Sequence, residues 1–177
     1  MSTAKHKTIY TIGHSTHSLE EFLNMLQSVG VEVVADVRSM PGSRKFPQYN
    51  QDALADSLRK HKIEYKYFED LGGRRKTTPD SKNKVWRNES FRGYADYMET
   101  DAFKEGLKEL EKVASSKKLA IMCAEAVWWR CHRSMIADIL KVESWEVLHI
   151  MGENKTTEHP YTQPAKVTNG KLTYEED

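Results

Sequence analysis

Cysteines, long apolar runs and an apolar N-terminal segment are scarce or missing in this sequence. Cys123 and Cys131 are the only cysteines among 177 residues, too few for the disulfide framework of a small secreted protein. No window approaches the roughly 18 consecutive apolar residues of a membrane-spanning helix, and residues 1–10 lack the apolar core of a signal peptide. We therefore expect a cytoplasmic protein with reduced thiols and no membrane partner.

The sequence also lacks an excess of charge of either sign. It has 27 Lys and Arg against 26 Asp and Glu, a net charge of +1, which excludes a uniformly basic nucleic-acid coat protein but allows a local basic patch. Hydrophobic residues make up 38% of the chain and recur in clear blocks, so we expect the chain to fold. The length predicts one domain over 1–177, with a polar C-terminal tail from about residue 152.

Short apolar runs alternate with segments of helical periodicity along the chain. The predicted strands are 8–13, 31–37, 63–68, 119–123 and 147–151. The predicted helices follow Ser18 and Asn50, cover 91–113 with a break near Thr100, and cover 131–140. This order predicts an α/β domain, a three-layer Rossmann-like fold with a mainly parallel sheet of about five strands. Asn169 and Gly170 allow a small hairpin in the tail.

Chemically reactive residues collect directly after the predicted strands. Ligands of open α/β sheets bind at the carboxyl ends of the strands, so these residues are candidates for a site. The candidates are His14 and Ser15, Asp36 and Arg38, Glu125, and Cys131, Arg133 and Ser134 at the start of the last predicted helix. The alternative is that polar residues follow strands because loops are polar; the coincidence of four clusters favours a site.

Glu125 and Asp36 are the candidates for acid–base chemistry. Glu125 leaves an apolar strand, where partial burial would raise the pKa of its carboxyl group, and Asp36 supplies a second carboxylate. His14 is a candidate base or leaving-group acid. The alternatives are an Asp36 that only pairs with an arginine and a hydrogen-bonded structural histidine. Glu125 ranks first as the chemical group.

Cys131 and Arg133 open the last predicted helix. Helix starts favour anions, and Arg133 adds a guanidinium that can bind a phosphate or carboxylate. Arg38, Ser15 and Ser134 are further candidates for binding. A thiol at a helix start has a lowered pKa, so Cys131 is a candidate nucleophile, with a small buried cysteine as the alternative. The spacing of cysteine and histidine matches no usual zinc pair, so we predict no metal.

Residues 72–93 form the one markedly basic segment, with seven arginines and lysines against two acidic residues. Arg74, Arg75 and Trp86 are candidates to hold a phosphate backbone and stack a base, as in single-strand binders. Trp129, one of two adjacent tryptophans in a strand-end loop, is a candidate to stack on a ring. The alternative for the segment is a solvated loop.

Four motifs of the chain are specific enough to compare with known families. They are TIGHS at 11–15, DVRSMPGSR at 36–44, LGG at 71–73 and MCAEAVWWRCHRSMIAD at 122–138. Together they resemble the domain-of-unknown-function 488 (DUF488) family, in the branch that carries the Ala-Val-Trp-Trp link within the last motif. The resemblance covers most of the chain. It implies a compact α/β domain with an active site and does not specify the reaction.

These features support one leading function and two alternatives. The leading interpretation is an enzyme, a hydrolase or transferase that cleaves an N-glycosidic or phosphoester bond of a phosphate-bearing nucleotide or nucleic acid. The alternatives are a non-catalytic nucleic-acid-binding module that uses 72–93, and a thiol-based redox or sensor protein that pairs Cys131 with Cys123. We predict no cofactor and an anionic small molecule or nucleic acid as partner, and the oligomeric state stays open.

Overall fold

The computed structural model describes residues 7–42 and 44–176, in which strands and helices alternate along most of the chain. The strands are β1 (Thr8–Gly13), β2 (Val33–Asp36), β3 (Glu64–Tyr67), β4 (Leu119–Cys123), β5 (Glu146–Gly152), β6 (Lys155–Glu158), β7 (Lys166–Thr168) and β8 (Lys171–Thr173). The helices are α1 (Leu19–Ser28), α2 (Gln51–Lys60), α3 (Glu89–Tyr97), α4 (Asp101–Ala114) and α5 (Arg133–Val142). Within the described ranges, no helix is long and apolar enough to cross a membrane.

Six of the strands form one sheet in the order β3-β2-β4-β1-β5-β6. Strands β1 to β5 are parallel, as the alternating pattern predicts, and β6 runs antiparallel to β5. The sixth strand is missing from the sequence-based prediction because Lys155–Glu158 reads KTTE, which is polar and exposed along its length. An edge strand with one neighbour does not need the apolar alternation that reveals an inner strand.

Both faces of the sheet are covered, which gives the domain its predicted three layers. The central strand β4 is buried at all five positions, as an unbroken apolar run is when helices cover both faces. Ile121 packs into a core with side chains from α3, α4 and α5, and Met122 packs on the opposite face with side chains from α1 and α2. The last residues of β2 and β4 therefore lie between two helical layers.

The periodic segment predicted over 91–113, with a break near Thr100, forms two helices. Helix α3 ends at Tyr97 and α4 begins at Asp101. The Oγ1 atom of Thr100 accepts a hydrogen bond from the N–H group of Phe103 at 3.3 Å and so caps α4. A threonine that satisfies one of the free N–H groups of the first turn favours a new helix start at this point. The predicted break near Thr100 is confirmed.

Residues 72–88 contain no helix or strand, but Asp96 of α3 ties the loop to the domain. The carboxylate accepts hydrogen bonds from Ser81 Oγ at 2.6 Å, from Asn83 Nδ2 at 2.7 Å and from the Thr78 N–H at 2.9 Å. Burial alone would raise the pKa of Asp96, but these hydrogen bonds outweigh it and lower the pKa. The ionised carboxylate thus holds the basic segment in place.

A buried chain of hydrogen bonds joins β1, β5 and α5. Asp138 accepts from His159 Nε2 at 2.8 Å, and the two imidazoles His159 and His149 meet at 2.8 Å. His149 Nδ1 lies 2.5 Å from the Thr11 hydroxyl. Burial, followed by the nearby His159, lowers the pKa of His149 to about 2, so this ring is neutral. The Trp128 ring stacks on the His149 ring with centroids 4.7 Å apart, and this contact fixes the position of the turn that leads to Cys131.

The polar tail packs back onto the domain. Strands β7 and β8 form a hairpin whose turn residues, Asn169 and Gly170, have φ values of 52° and 76°. These left-handed values are the ones that asparagine and glycine tolerate best. Tyr174 follows the hairpin, lies buried in the core and donates a hydrogen bond to Asp138 at 2.8 Å. The small hairpin that the sequence allows is therefore present.

Gly13, the last residue of β1, has no space for a side chain. A Cβ atom there would lie 1.7 Å from the backbone oxygen of Glu125 and 2.7 Å from a guanidinium nitrogen of Arg133. We expect Gly13→Ala to lower the free energy of unfolding by about 1–3 kcal/mol, because the backbone of the loop after β4 must move. Urea denaturation measures the loss. Gly42→Ala is the control, since the nearest atom, on Asn50, is 3.8 Å away; equal losses in both variants would contradict the steric argument.

Candidate functional site

A cleft of about 260 Å³ opens at the carboxyl ends of β2 and β4. Its walls come from the loops after these strands, from the residues before α5 and from the segment that leads into α3. We call it the strand-end cleft. Four of the residues selected from the sequence line it, namely Arg38, Arg74, Glu125 and Cys131. Cys123, which the sequence offered only as the thiol partner of Cys131, lines it as well, and so do Arg130 and His132, which were not among the candidates.

Cys131 lies just before α5 rather than within it. A 3-10 turn over Trp128–Arg130 ends at Cys131, and the helix begins at Arg133. The sequence predicted an anion site at this helix start. The structure does not support it, because the first backbone N–H groups of the helix already have acceptors within the protein. The Arg133 N–H points at the Cys131 sulfur at 3.5 Å, and the next N–H, from Ser134, donates to the Cys131 carbonyl. The Ser134 hydroxyl also donates to that carbonyl, at 2.8 Å, and lies buried away from the cleft.

The two thiols are in contact, and their pKa values are shifted in opposite directions. The sulfur atoms of Cys131 and Cys123 lie 2.7 Å apart. Burial by itself raises the pKa of Cys131, but the hydrogen bond with Cys123, the charge of Arg133 and the Arg133 N–H together outweigh it and lower the pKa. Burial, reinforced by Cys131, raises the pKa of Cys123 well above its ordinary value. Cys131 is thus the thiol that ionises first.

His132 is a functional candidate that the sequence-based selection missed. Its Nε2 atom lies 2.8 Å from the Val37 carbonyl, which only accepts, so Nε2 carries the proton and Nδ1 is left as an acceptor. Nδ1 lies 3.5 Å from the Cys131 sulfur, and burial lowers the pKa of His132, which keeps the ring neutral. The available signal was its position next to a candidate thiol.

The prediction that Arg133 binds a substrate anion is wrong, because its guanidinium group does not line the cleft. Its side chain is fully buried and donates to Cys123 Sγ and the Glu125 carbonyl, both at 3.0 Å, and to the Ala126 carbonyl at 3.1 Å. A guanidinium committed to these acceptors is not available to grip a substrate anion. Its role is to hold the loop after β4 against α5 and to supply positive charge to the two sulfurs.

Asp36, Arg38 and His14 form a second buried group behind the cleft. The Arg38 guanidinium pairs with the Asp36 carboxylate at 2.8 and 2.9 Å, and Tyr65 donates to the same carboxylate at 2.5 Å. His14 Nε2 lies 3.5 Å from Arg38, and the ring stacks on Tyr49. Burial lowers the pKa of His14, which favours the neutral ring. Of the three, Arg38 alone lines the cleft, and Asp36 and His14 contact Arg38 on the side away from the cleft.

Glu125 lies at the mouth of the cleft with its side chain exposed, in contrast to the expected half-buried carboxylate. The strand β4 is deeply buried, but the chain reaches the surface as soon as the strand ends. The buried part of Glu125 is its carbonyl group, which accepts from Arg133. Ser15 similarly serves the backbone, since its N–H donates to the Ala124 carbonyl at 2.9 Å and its φ is 47°. It does not line the cleft.

The basic and aromatic candidates divide into two groups. Arg74 lines the cleft, but Arg75 folds back over the Tyr97 ring at 3.8 Å and donates to backbone carbonyls. Trp86 packs on Phe91 and Tyr174 rather than facing a ligand. Trp129 is 53% exposed, directly before the cleft residue Arg130. Of the four residues predicted to bind a phosphate backbone or to stack on a base, Arg74 and Trp129 therefore remain available to a ligand.

The charged side chains at the cleft are mainly positive. Arg38, Arg74 and Arg130 line it against the single carboxylate of Glu125. Asp36 neutralises Arg38. Arg74 and Arg130 form no ion pair with an acidic residue that the structure describes, so they supply the net positive charge at the cleft. Over residues 7–42 and 44–176, no group of three or more His, Cys, Asp or Glu side chains is placed to hold a metal ion. The arrangement suits an anion next to a reactive thiol.

Comparison with known sequences gives one finding. A search of curated proteins found no match to this chain, and a search of solved structures found none either. A family model described as "Domain of unknown function DUF488" matches residues 18–140, which is more than half of the chain. The match contains every residue that lines the cleft, from Arg38 to His132, and leaves the TIGHS motif outside its range. The chain therefore belongs to the DUF488 family.

Proposed function

We propose that the protein is a cysteine-dependent enzyme, a hydrolase or transferase that acts on a phosphate-bearing substrate of nucleotide or nucleic-acid type. One observation carries the proposal: the Cys131 sulfur lies in the strand-end cleft within 3.5 Å of both His132 Nδ1 and the Arg133 N–H. Enzymes with cysteine or serine nucleophiles share a base beside the nucleophile and a third group that orients the base. The Val37 carbonyl is the orienting group here.

The chemistry follows from these positions. His132 Nδ1 accepts the proton of the Cys131 thiol. The thiolate forms a bond to the phosphorus or carbon atom of the substrate while the bond to the leaving group breaks, and water or an acceptor then attacks the same atom and releases the thiolate. The His132 imidazolium then returns this proton to the leaving group, and Glu125, at the mouth of the cleft, is the second candidate for proton transfer. It ranks behind Cys131 because it is exposed.

The substrate class rests on charge and on one aromatic side chain. Arg74 and Arg130 offer guanidinium groups that can bind a phosphate with two parallel hydrogen bonds each. The indole of Trp129 is 53% exposed and directly precedes Arg130 in the chain, so it can stack on a nucleobase. A phosphate-bearing molecule with a flat ring satisfies both features, which supports a nucleotide or a nucleic-acid end as substrate.

The acidity of Cys131 and the role of His132 can be measured by alkylation. With its lowered pKa, Cys131 should react with iodoacetamide at pH 7 faster than an ordinary thiol, and the rate should rise with pH and level off above that pKa. Loss of the base in His132→Gln should slow the reaction at pH 7 by roughly tenfold or more. Peptide mapping distinguishes Cys131 from Cys123. His17→Gln, at a surface histidine paired with Glu21, is the control; an unchanged rate in His132→Gln would exclude His132 as the base.

Anion binding at the cleft can be measured through the same alkylation of Cys131. Inorganic phosphate should occupy the cleft and protect Cys131 from alkylation. The double variant Arg74→Ala, Arg130→Ala should raise the half-protecting phosphate concentration about tenfold or more, since a hydrogen bond to a charged group contributes about 1.5–3 kcal/mol. Arg87→Ala removes an exposed arginine of the same basic segment that does not line the cleft. Equal weakening in both proteins would indicate general charge screening instead of a site.

A second candidate function, non-catalytic nucleic-acid binding, is supported by the exposed cations of the basic segment. Asp96 anchors the loop, so the charges need little ordering when a ligand binds. A fixed cluster of positive charge attracts a phosphate backbone without reading its sequence. The exposed cations are Arg74, Lys76, Lys82, Lys84 and Arg87.

The salt dependence of binding tests this candidate. Each phosphate contact to a single strand contributes a log–log slope of about −0.7, so replacing Lys82, Lys84 and Arg87 with Ala should flatten the slope by roughly 2 units. The control replaces three exposed lysines of α4 and removes the same charge; these are Lys104, Lys108 and Lys112. Fluorescence anisotropy with a labelled oligonucleotide gives both slopes. Equal flattening in the two triple variants would show that binding depends on the net charge of the protein and not on the basic segment.

A further inference from the structure

The strand-end cleft contains a second thiol that the proposed reaction does not use. Cys123 is the last residue of β4 and is 2% exposed, and its sulfur lies 2.7 Å from that of Cys131, which is 6% exposed. Both residues line the cleft, so a small solute that reaches one sulfur reaches the pair. We propose that Cys123 and Cys131 form a reversible peroxide-induced disulfide, with Cys131 as the oxidised thiol and Cys123 as the resolving thiol.

The first step takes place at Cys131. Its thiolate attacks one oxygen of hydrogen peroxide, the O–O bond breaks, and the products are a Cys131 sulfenic acid and hydroxide. The sulfur is oxidised and the peroxide is reduced, so no further reactant is needed. The same features that favour a nucleophilic thiolate, the Arg133 charge and N–H group, favour this step.

The second step joins the sulfurs. The Cys123 thiol attacks the sulfur of the sulfenic acid, the S–O bond breaks, and the hydroxyl leaves with the thiol proton as water. An Arg133 guanidinium nitrogen lies 3.0 Å from Cys123 Sγ and stabilises the negative charge that develops on it. Once Cys131 is a neutral sulfenic acid, the thiolate that opposed ionisation of Cys123 is gone.

The backbone already holds the two cysteines together. They are eight positions apart in the sequence, and Arg133 ties the intervening loop through the carbonyls of Glu125 and Ala126. Disulfide formation therefore needs a small movement of side chains rather than a rearrangement of the loop. Because the bond consumes Cys131, it would also stop the proposed reaction. The inference goes beyond the proposed function and needs no substrate.

The test treats the reduced full-length protein with hydrogen peroxide and then with N-ethylmaleimide, followed by peptide mapping. The wild type should show the linked peptides of Cys123 and Cys131 without maleimide on either, and dithiothreitol should restore both thiols. Cys123→Ser should stop at the sulfenic acid, so that dimedone labelling of Cys131 exceeds the wild-type level by roughly tenfold. Cys131→Ser should leave Cys123 as a free thiol. Mapping also separates the sulfoxide of Met40, which is 67% exposed.

Three results would overturn the inference. They are a wild-type protein with sulfinic acid at Cys131 and a free thiol at Cys123, links only between separate chains, and equal dimedone labelling of wild type and Cys123→Ser. Circular dichroism checks that each variant folds, and Cys123→Ala replaces Cys123→Ser if the serine hydroxyl is not tolerated. Because no substrate is present, absence of the disulfide leaves the proposed reaction untouched, and absence of turnover leaves the disulfide untouched.

Discussion

The buried guanidinium of Arg133 is the interaction on which the rest of the site depends. Removing a charge from water is costly, and this one is accommodated because a sulfur and two backbone carbonyls accept its hydrogen bonds. These acceptors belong to the end of β4 and to the loop after it, so the arginine fastens that loop to α5. The close approach leaves no space for a side chain at Gly13, which explains the glycine of the TIGHS motif. It also brings Cys123 and Cys131 into contact.

A second buried arginine has a different effect because its partner is different. Arg38 pairs with the carboxylate of Asp36, which cancels most of its field at the cleft. Arg133 has neutral acceptors only, so its charge acts on the nearby sulfurs and helps to lower the pKa of Cys131. The two arginines look alike in the sequence. What separates them is the nature of the groups that accept their hydrogen bonds.

The change of emphasis from Glu125 to Cys131 has a physical basis. A general acid or base has to be held against the reacting group, and the exposed side chain of Glu125 is solvated rather than packed. Cys131 has the altered environment instead, with a neutral histidine, a buried cation and a second thiol around its sulfur. The leading interpretation of the sequence was an enzyme for a phosphate-bearing substrate. Our proposal keeps that substrate class, makes the enzyme cysteine-dependent, and assigns the phosphate to Arg74, which the sequence suggested, and to Arg130, which it did not.

The sequence by itself determined the fold class, most elements and the edge of the sheet at which the strand-end cleft opens, because apolar periodicity and helix caps such as Thr100 are local properties. It did not reveal β6, whose exposed residues carry no apolar pattern. It also placed Arg38 and Cys131 at one cleft, because both follow adjacent parallel strands. Only the tertiary structure decided that Arg133 turns inward and that His132 presents Nδ1 to the thiol. These outcomes depend on which distant carbonyls and sulfurs meet a side chain after folding, and spacing along the chain does not encode that.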